Sequence, residues 1–364
     1  MKILIYGNFL DYQVQLANEL CKTESVMIIV SSYKYQHESL DNVNENIYLE
    51  FLGKDYSLYT HKNLFILNSF LKKIKNFDPD IVHIQIGGGV SLFNLPFILF
   101  LMKYPLITTF HDIKPHLGEY SRIRNFIPYL LRKYSNQIIV HGNRLKNQIL
   151  TEYNISSKIV NSVPIGEHET EPFKMYEKPD LKEDNNLILF FGRIYEYKGL
   201  KYLIEAEPTI TREIPNAKII IAGTGEDFEK YQDMMVNKEN FIVHNYRISY
   251  QEGAELFQRS SVIVLPYIEG SQSGVIPTAY SFKKPVVVTD VGSIPEIVDD
   301  GVTGLIVPAR NSDELAKAII KILNDNTLRK NMGERAYIKL KTDLSWDNIA
   351  KKTIEIYKRA MTSN

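Results

Sequence analysis

The sequence predicts an α/β protein built from two doubly wound parallel-sheet domains, and three observations carry that prediction. At 364 residues the chain is longer than one hydrophobic core usually organises, which makes two domains of similar size the natural expectation. Short β-branched runs recur at intervals too long for hairpins, with helical patterns between several of them. The runs are apolar without alternation, as strands are when both sheet faces are covered by helices.

Taken in order, Lys2 leads at once into Ile3-Leu4-Ile5-Tyr6 and Gly7, a strand that ends in a turn, with no hydrophobic signal core before it. Leu10, Val14, Ala17, Leu20 and Cys21 then share one face at helical spacing, completing a β-α unit. Further strands are expected at 26–30, 81–84, 106–110 and 138–140. The most apolar stretch, Leu92 to Met102, is broken by Asn94 and Pro96 and is too short for the ~20 residues of a bilayer span, so it reads as a buried helix. Glu167 to Asn186, with seven Asp/Glu and prolines at 172 and 179, is the expected linker. A second set of strands follows at 187–191, 218–222, 241–244, 262–265 and 286–289. Ser249 with Glu252 and Asn311 with Glu314 have capping-box spacing at two helix starts. The expected domains are 1–170 and 183–345, with a closing helix over 346–361. Ligands of such domains sit at the carboxyl ends of the strands, which makes a cleft between the domains the expected active site.

Composition limits the function classes. Forty-three Lys+Arg against forty-three Asp+Glu give no net charge, so nothing global marks a nucleic-acid binder. A single cysteine, Cys21, excludes an intrachain disulfide and argues against a zinc site; a reducing cytoplasm fits best. No metal or cofactor is expected.

The chemistry concentrates in Phe191-Gly192-Arg193-Ile194-Tyr195-Glu196-Tyr197-Lys198-Gly199-Leu200. Gly192 leaves room at a strand end, and Arg193 and Lys198 bring two cations to a helix start. A helix amino terminus, a bidentate guanidinium and an ammonium together outline a diphosphate site. By spacing alone, two surface cations are the plainer reading.

Gly192-Arg193 with Lys198-Gly199 resembles the G-R-x4-K-G motif of the retaining glycosyltransferases of family GT4, which have the GT-B fold of two Rossmann-like domains facing an interdomain cleft. The similarity continues through Ile221-Ala222-Gly223-Thr224-Gly225, Val264-Leu265-Pro266-Tyr267, Lys284-Pro285-Val286-Val287, Val291 to Val298 and Asp300 to Gly304. In the first half, Asp80-Ile81-Val82-His83, Thr108-Thr109-Phe110-His111-Asp112 and Ile138-Ile139-Val140-His141 are similar to the family's D-I-V-H, T-x-H-D and I-x-V-S elements. The resemblance implies that Arg193 and Lys198 hold the diphosphate of a nucleotide-sugar donor, a UDP-sugar being favoured, and that His111 lies beside the donor sugar. Gly7 matches one glycine of the family's amino-terminal loop, while Asn8-Phe9-Leu10 replaces the second. Gly192, Gly223 and Arg247 join the donor-binding candidates.

The largest departure is at the family's E-x7-E element, whose second position falls on Thr278 and first on Gly270, with Glu269 displaced by one. Gln272-Ser273-Gly274-Val275 looks instead like a turn whose amides at Ser273, Gly274 and Val275 face the diphosphate from a second helix start. Glu269 is left to reach sugar hydroxyls, and Thr278 to make one hydrogen bond to a ribose hydroxyl. Transfer to a glycan or lipid-linked acceptor, with retention and without metal, is what the resemblance implies. A non-catalytic sugar-nucleotide-binding partner and a sugar-nucleotide 2-epimerase are the alternatives. Arg122, Arg124, Arg132, Lys133, Arg144 and Lys146, with no acid between them, read either as a solvated helix face or as a surface for anionic lipid, which would make the protein peripheral on the inner face of a membrane.

Overall fold

The computed structural model describes residues 1–7, 9–31, 40, 42–52, 61–87, 95–113, 125–166, 170–225 and 228–362. The chain divides into two compact units, Met1–Pro164 with Trp346–Asn364, and Ile165–Ser345. Each is a parallel sheet with helices.

In the first unit the strands are β1 (Lys2–Gly7), β2 (Ser25–Ser31), β3 (Tyr48–Leu52), β4 (Ile81–Ile86), β5 (Leu106–Phe110), β6 (Gln137–Val140) and β7 (Val160–Ser162), in spatial order β3-β2-β1-β4-β5-β6-β7. Every neighbouring pair is parallel. The helices are α1 (Leu10–Leu20), α2 (His61–Phe77), α3 (Leu95–Leu101), α4 (Phe126–Tyr134), α5 (Asn143–Tyr153) and, from the end of the chain, a closing helix, Trp346–Thr362. One sheet face is apolar, with Leu4, Val82, Ile84, Leu106 and Ile138 in a common core. On the strands, His83, Gln85 and Thr109 alternate with these residues and so project to the opposite face. There α1 and the closing helix pack together. His83 shares hydrogen bonds of 2.7 Å with Tyr357 of the closing helix and with Thr109. Burial lowers its pKa to about 3 and so holds the ring neutral.

Three local expectations are corrected here. Cys21 lies one residue past α1 and is half-buried, its thiol donating to Asn18 O. In the apolar stretch, α3 buries Phe97, Ile98 and Leu101 but leaves Leu99 exposed, so only one face is covered; residues 92–94 lie outside the described residues. In the basic stretch, Arg132 turns inward, its guanidinium 4.0 Å above the Tyr153 ring and near Phe110, so it is no part of a solvated cationic face. Arg122 and Arg124 lie outside the described residues. Among the described residues no helix is long and apolar enough to cross a membrane.

The second unit contains β8 (Leu187–Phe191), β9 (Lys218–Ala222), β10 (Phe241–His244), β11 (Val262–Leu265), β12 (Val286–Thr289) and β13 (Gly304–Val307), in order β10-β9-β8-β11-β12-β13 and parallel throughout. Its helices are α6 (Thr170–Lys174), α7 (Leu200–Glu213), α8 (Glu229–Gln232), α9 (Tyr250–Arg259), α10 (Val275–Ser281), α11 (Ser312–Asn324) and α12 (Asn326–Thr342), which makes the closing helix α13. Ser249 and Asn311 cap α9 and α11 by accepting from the amides of Glu252 and Glu314. Neither box closes through its carboxylate: Glu252 turns to His244 and Tyr246, and Glu314 to Lys317.

The expected linker is corrected as well. Residues 170–186 are fastened into the second unit, and the division falls at Pro164. The Phe173 ring lies edge-on to Phe191, Tyr250 and Phe257. Glu183 accepts from Lys284 at 2.5 Å and Arg329 at 2.9 Å, both buried cations, while Asp184 pairs with Arg259. Glu183, one of the acids that made this stretch look like a spacer, is the counter-charge those two cations need.

Candidate functional site

In both sheets the strand order reverses beside the first strand of the unit, between β1 and β4 and between β8 and β11. Such switch points open a crevice at the carboxyl ends of the strands, where ligands of doubly wound sheets bind. The candidate residues are arranged about these two places.

In the second unit β8 runs out at Gly192, whose amide donates to Ala222 O at the end of β9. The two strand ends then approach so closely that a Cβ on Gly223, which has φ +148°, would stand 1.8 Å from Gly192 O. Only glycine fits there. Beyond Gly192 a single 3-10 turn, Glu196–Lys198, delivers Lys198, and Gly199 at φ +66° turns the chain into α7. A Cβ on Gly199 would meet Pro266 O at 1.9 Å, which draws the start of α7 against the end of β11.

That approach sets the side chains. The Lys198 ammonium lies 3.8 Å from the centroid of the buried Tyr267 ring and 5.3 Å from that of Tyr197. The aromatic faces stabilise the cation and restrict its wandering. Tyr267 Oη is 3.0 Å from Ser273 Oγ, so one ring links Lys198 to the turn that opens α10. The turn is held on its other sides: Thr289 Oγ1 donates to Tyr267 O, Ile268 N to Tyr197 O, and Ser293 N to Ser271 O. Gly192 lies beside Val275, its open Cβ position 3.9 Å from Val275 Cγ2. Gly192, Lys198, Gly223, Ser273 and Val275 are therefore neighbours.

Gly274 is the residue that caps α10, a helix of seven residues, all of them buried. Thr278 is buried within it and donates its hydroxyl to Gly274 O at 3.1 Å, so toward a ribose it keeps only acceptor capacity. Arg193, Arg247 and Glu269 are exposed, on the loops after β8, β10 and β11. Arg193 holds its guanidinium 5.7 Å from the Tyr195 ring, and the Glu269 amide points back to Tyr197 O at 3.4 Å.

In the first unit Gly7 ends β1, where a Cβ would meet Gln85 O at 2.1 Å and Gln13 Nε2 at 2.6 Å. His111, just past β5, is 1% exposed. Phe9 stacks on it at 3.9 Å with ring planes 9° apart, and Tyr12 meets it edge-on. His111 Nδ1 is 3.1 Å from His141 Nε2, and His141 Nδ1 is 3.0 Å from Val163 O. Tyr267, Phe9 and His141 belong to these arrangements without a signal of their own in the sequence: Tyr267 and His141 lie inside the V-L-P-Y and I-I-V-H runs, and Phe9 stands where the second glycine of the amino-terminal loop is missing.

Residues 12–166 match the family described as Glycosyltransferase Family 4, and residues 173–339 match Glycosyl transferases group 1. An uncharacterized glycosyltransferase of Methanocaldococcus jannaschii is 29% identical over 252 residues, 66% of this chain and 64% of that protein, so the match spans under two thirds of the relative. Sucrose-phosphate synthase from Thermosynechococcus elongatus has a TM-score of 0.76 at 16% identity over 100% of both chains. Anabaena HepE, solved in complex with UDP, has a TM-score of 0.74 at 14% identity over 98% of this chain and 99% of that one. At these identities the two structures establish the fold, a pair of Rossmann-like parallel-sheet domains of the GT-B type.

Proposed function

Because the chain carries a family 4 glycosyltransferase domain followed by a group 1 glycosyltransferase domain, we propose that it moves a hexose-type sugar from a nucleoside-diphosphate sugar to a hydroxyl of a glycan or lipid-linked glycan. A UDP-sugar is the favoured donor. The observation that carries this reading is the chain of contacts from Lys198 through Tyr267 to Ser273, which fixes a cation beside the turn that opens α10. Arg193 adds a second cation from the same loop. In this reading the diphosphate lies against Gly192 and Gly223, where no side chain intervenes, and takes hydrogen bonds from the Ser273, Gly274 and Val275 amides.

Transfer proceeds with retention. The bond between the sugar's anomeric carbon and the leaving phosphate oxygen breaks, the acceptor oxygen bonds to the same face, and the acceptor's proton passes to the departing phosphate. No protein base and no metal take part. Arg193, Lys198 and the three amides oppose charge that is greatest as the diphosphate leaves, so they act on the transition state more than on the bound donor. Glu269 and His111 are assigned to the sugar, Arg247 and Thr278 to the nucleoside, and Gly7 to the room needed by phosphate or acceptor.

The test is transfer from a panel of UDP-, GDP- and ADP-sugars, with the product anomer read by NMR. The expected product keeps the donor's anomeric configuration and forms at the same rate in excess EDTA. An inverted product, or activity abolished by EDTA and restored by a divalent ion, would refute the mechanism.

A further inference from the structure

His111 and His141 form a buried pair whose hydrogens follow from their partners. Val163 O can only accept, so the hydrogen of the 3.0 Å contact belongs to His141 Nδ1. The His141 ring is 2% exposed and lies against Tyr12, surroundings in which a buried imidazole favours its neutral form. A neutral ring with its hydrogen on Nδ1 carries a bare lone pair on Nε2. That lone pair lies 3.1 Å from His111 Nδ1, which must then supply the hydrogen between the two rings. His111, neutral in turn, keeps a lone pair on its own Nε2.

We infer that His141 is a positioning residue that fixes His111 in its Nδ1–H tautomer, so that His111 Nε2 accepts a hydrogen bond from a hydroxyl of the donor sugar. The inference rests on the proposed place of His111 beside that sugar. It makes His111 an acceptor that selects for an O–H group, and not a proton donor to the departing phosphate.

The constraint comes from the histidine at position 141. Where the I-x-V-S element has serine, a hydroxyl can rotate to donate or to accept and imposes neither tautomer. His141 cannot rotate away from its choice while Val163 O holds Nδ1. Phe9, stacked on His111, and Tyr12, edge-on to both rings, fix the planes. Trp346 backs Tyr12 from α13 at a ring separation of 5.0 Å.

The direct test is nitrogen NMR of the full chain labelled with 15N-histidine, the His111 signals being assigned by their loss in His111→Gln. The expected pattern at His111 is a pyrrole-type Nδ1 and a pyridine-type Nε2, and it needs no ligand. His141→Gln, whose side-chain oxygen can still accept from His111 Nδ1, keeps that pattern. His141→Leu gives a mixture of tautomers. In transfer assays His141→Leu lowers kcat/KM for the donor about fivefold to tenfold, the scale of one neutral hydrogen bond. His141→Gln recovers most of that loss, and the Kd for UDP, which carries no sugar, is unchanged in both variants. A pyrrole-type Nε2 or an imidazolium at His111 in the wild-type chain would overturn the inference, as would equal losses in the Gln and Leu variants. If the wild-type chain transfers no sugar at all, the proposed function fails, while the tautomer is still decided by the spectrum.

Discussion

The two strand-order reversals are built from opposite materials. At β1 and β4 the groups are buried and carry no fixed charge of the kind a phosphate needs: His83 held neutral between Tyr357 and Thr109, His111 bonded to His141, and Gln13 and Gln85, whose side-chain amides find no hydrogen-bond partner among the described residues. At β8 and β11 they are cationic and nearer solvent, Arg193 exposed and Lys198 half-buried, over a backbone that two glycines allow to close up. Neutral buried groups orient a ligand through geometry but cannot balance a diphosphate. Cations near the surface supply that balance, and screening by salt weakens it. The proposed function divides the labour along the same line, assigning donor charge to residues of the second unit and sugar geometry to residues of the first.

The largest expected effect breaks the cationic half. Arg193→Ala and Lys198→Ala should each lower transfer about 100-fold or more, the usual scale for removing one donor to a developing anion. The midpoint of thermal unfolding should stay put, because neither side chain lies in the core. Wild-type turnover in both variants contradicts the assignment.

Next comes the backbone beneath it. Gly223→Ala places a methyl 1.8 Å from Gly192 O at a positive φ, so the strand ends must separate. A loss of roughly 1–3 kcal/mol in urea unfolding is expected. Gly192→Ala, also at positive φ but with open space at its Cβ, should cost less. Equal costs would show that crowding at Gly223 is not what the site requires.

The smallest effect probes the neutral half and depends on pH. His83 has its folded-state pKa lowered to about 3, below the ordinary value of 6.5. Its neutral form therefore favours the fold, and the contribution is fully present above pH 6.5. As pH falls from there toward 3, the unfolded chain takes up a proton that the folded chain refuses. Stability then drops by at most about 1.4 kcal/mol per pH unit from this group. His83→Asn should flatten that acid slope between pH 7 and pH 5 in urea titrations, relative to the wild-type chain. An unchanged slope would assign the acid sensitivity to other groups.

Much of this architecture was legible before any coordinates, and the exceptions have physical reasons. Ten strands announced themselves as apolar, β-branched runs. β3 did not, because Tyr48 and Phe51 are exposed on an edge strand, and β7 did not, because only Val160 of its three residues is buried. β13 begins at Gly304, the last residue of a loop motif, which hid the strand behind it. The supposed linker misled because surface-like acids and prolines have the same composition whether they float or bind buried cations, as Glu183 does.

The site divides in the same way. Gly192, Arg193, Lys198 and Gly199 stand within one short run and could be read as a unit. The link from Lys198 through Tyr267 to Ser273, and that from His111 through His141 to Val163, join separate loops and exist only once parallel strands bring their ends together. Thr278 shows the reverse case, since its residue type suggested a ligand contact and the fold gives its hydrogen to Gly274 O.

The most direct measurement is calorimetric titration of UDP, GDP and ADP into the wild-type chain and into the Arg193→Ala/Lys198→Ala double variant. One nucleoside diphosphate, UDP by preference, should bind the wild-type chain, more weakly as salt is raised, and lose about 100-fold in affinity in the double variant. Absence of binding by all three, or equal affinity in the two proteins, would contradict the claim that these cations hold a diphosphate.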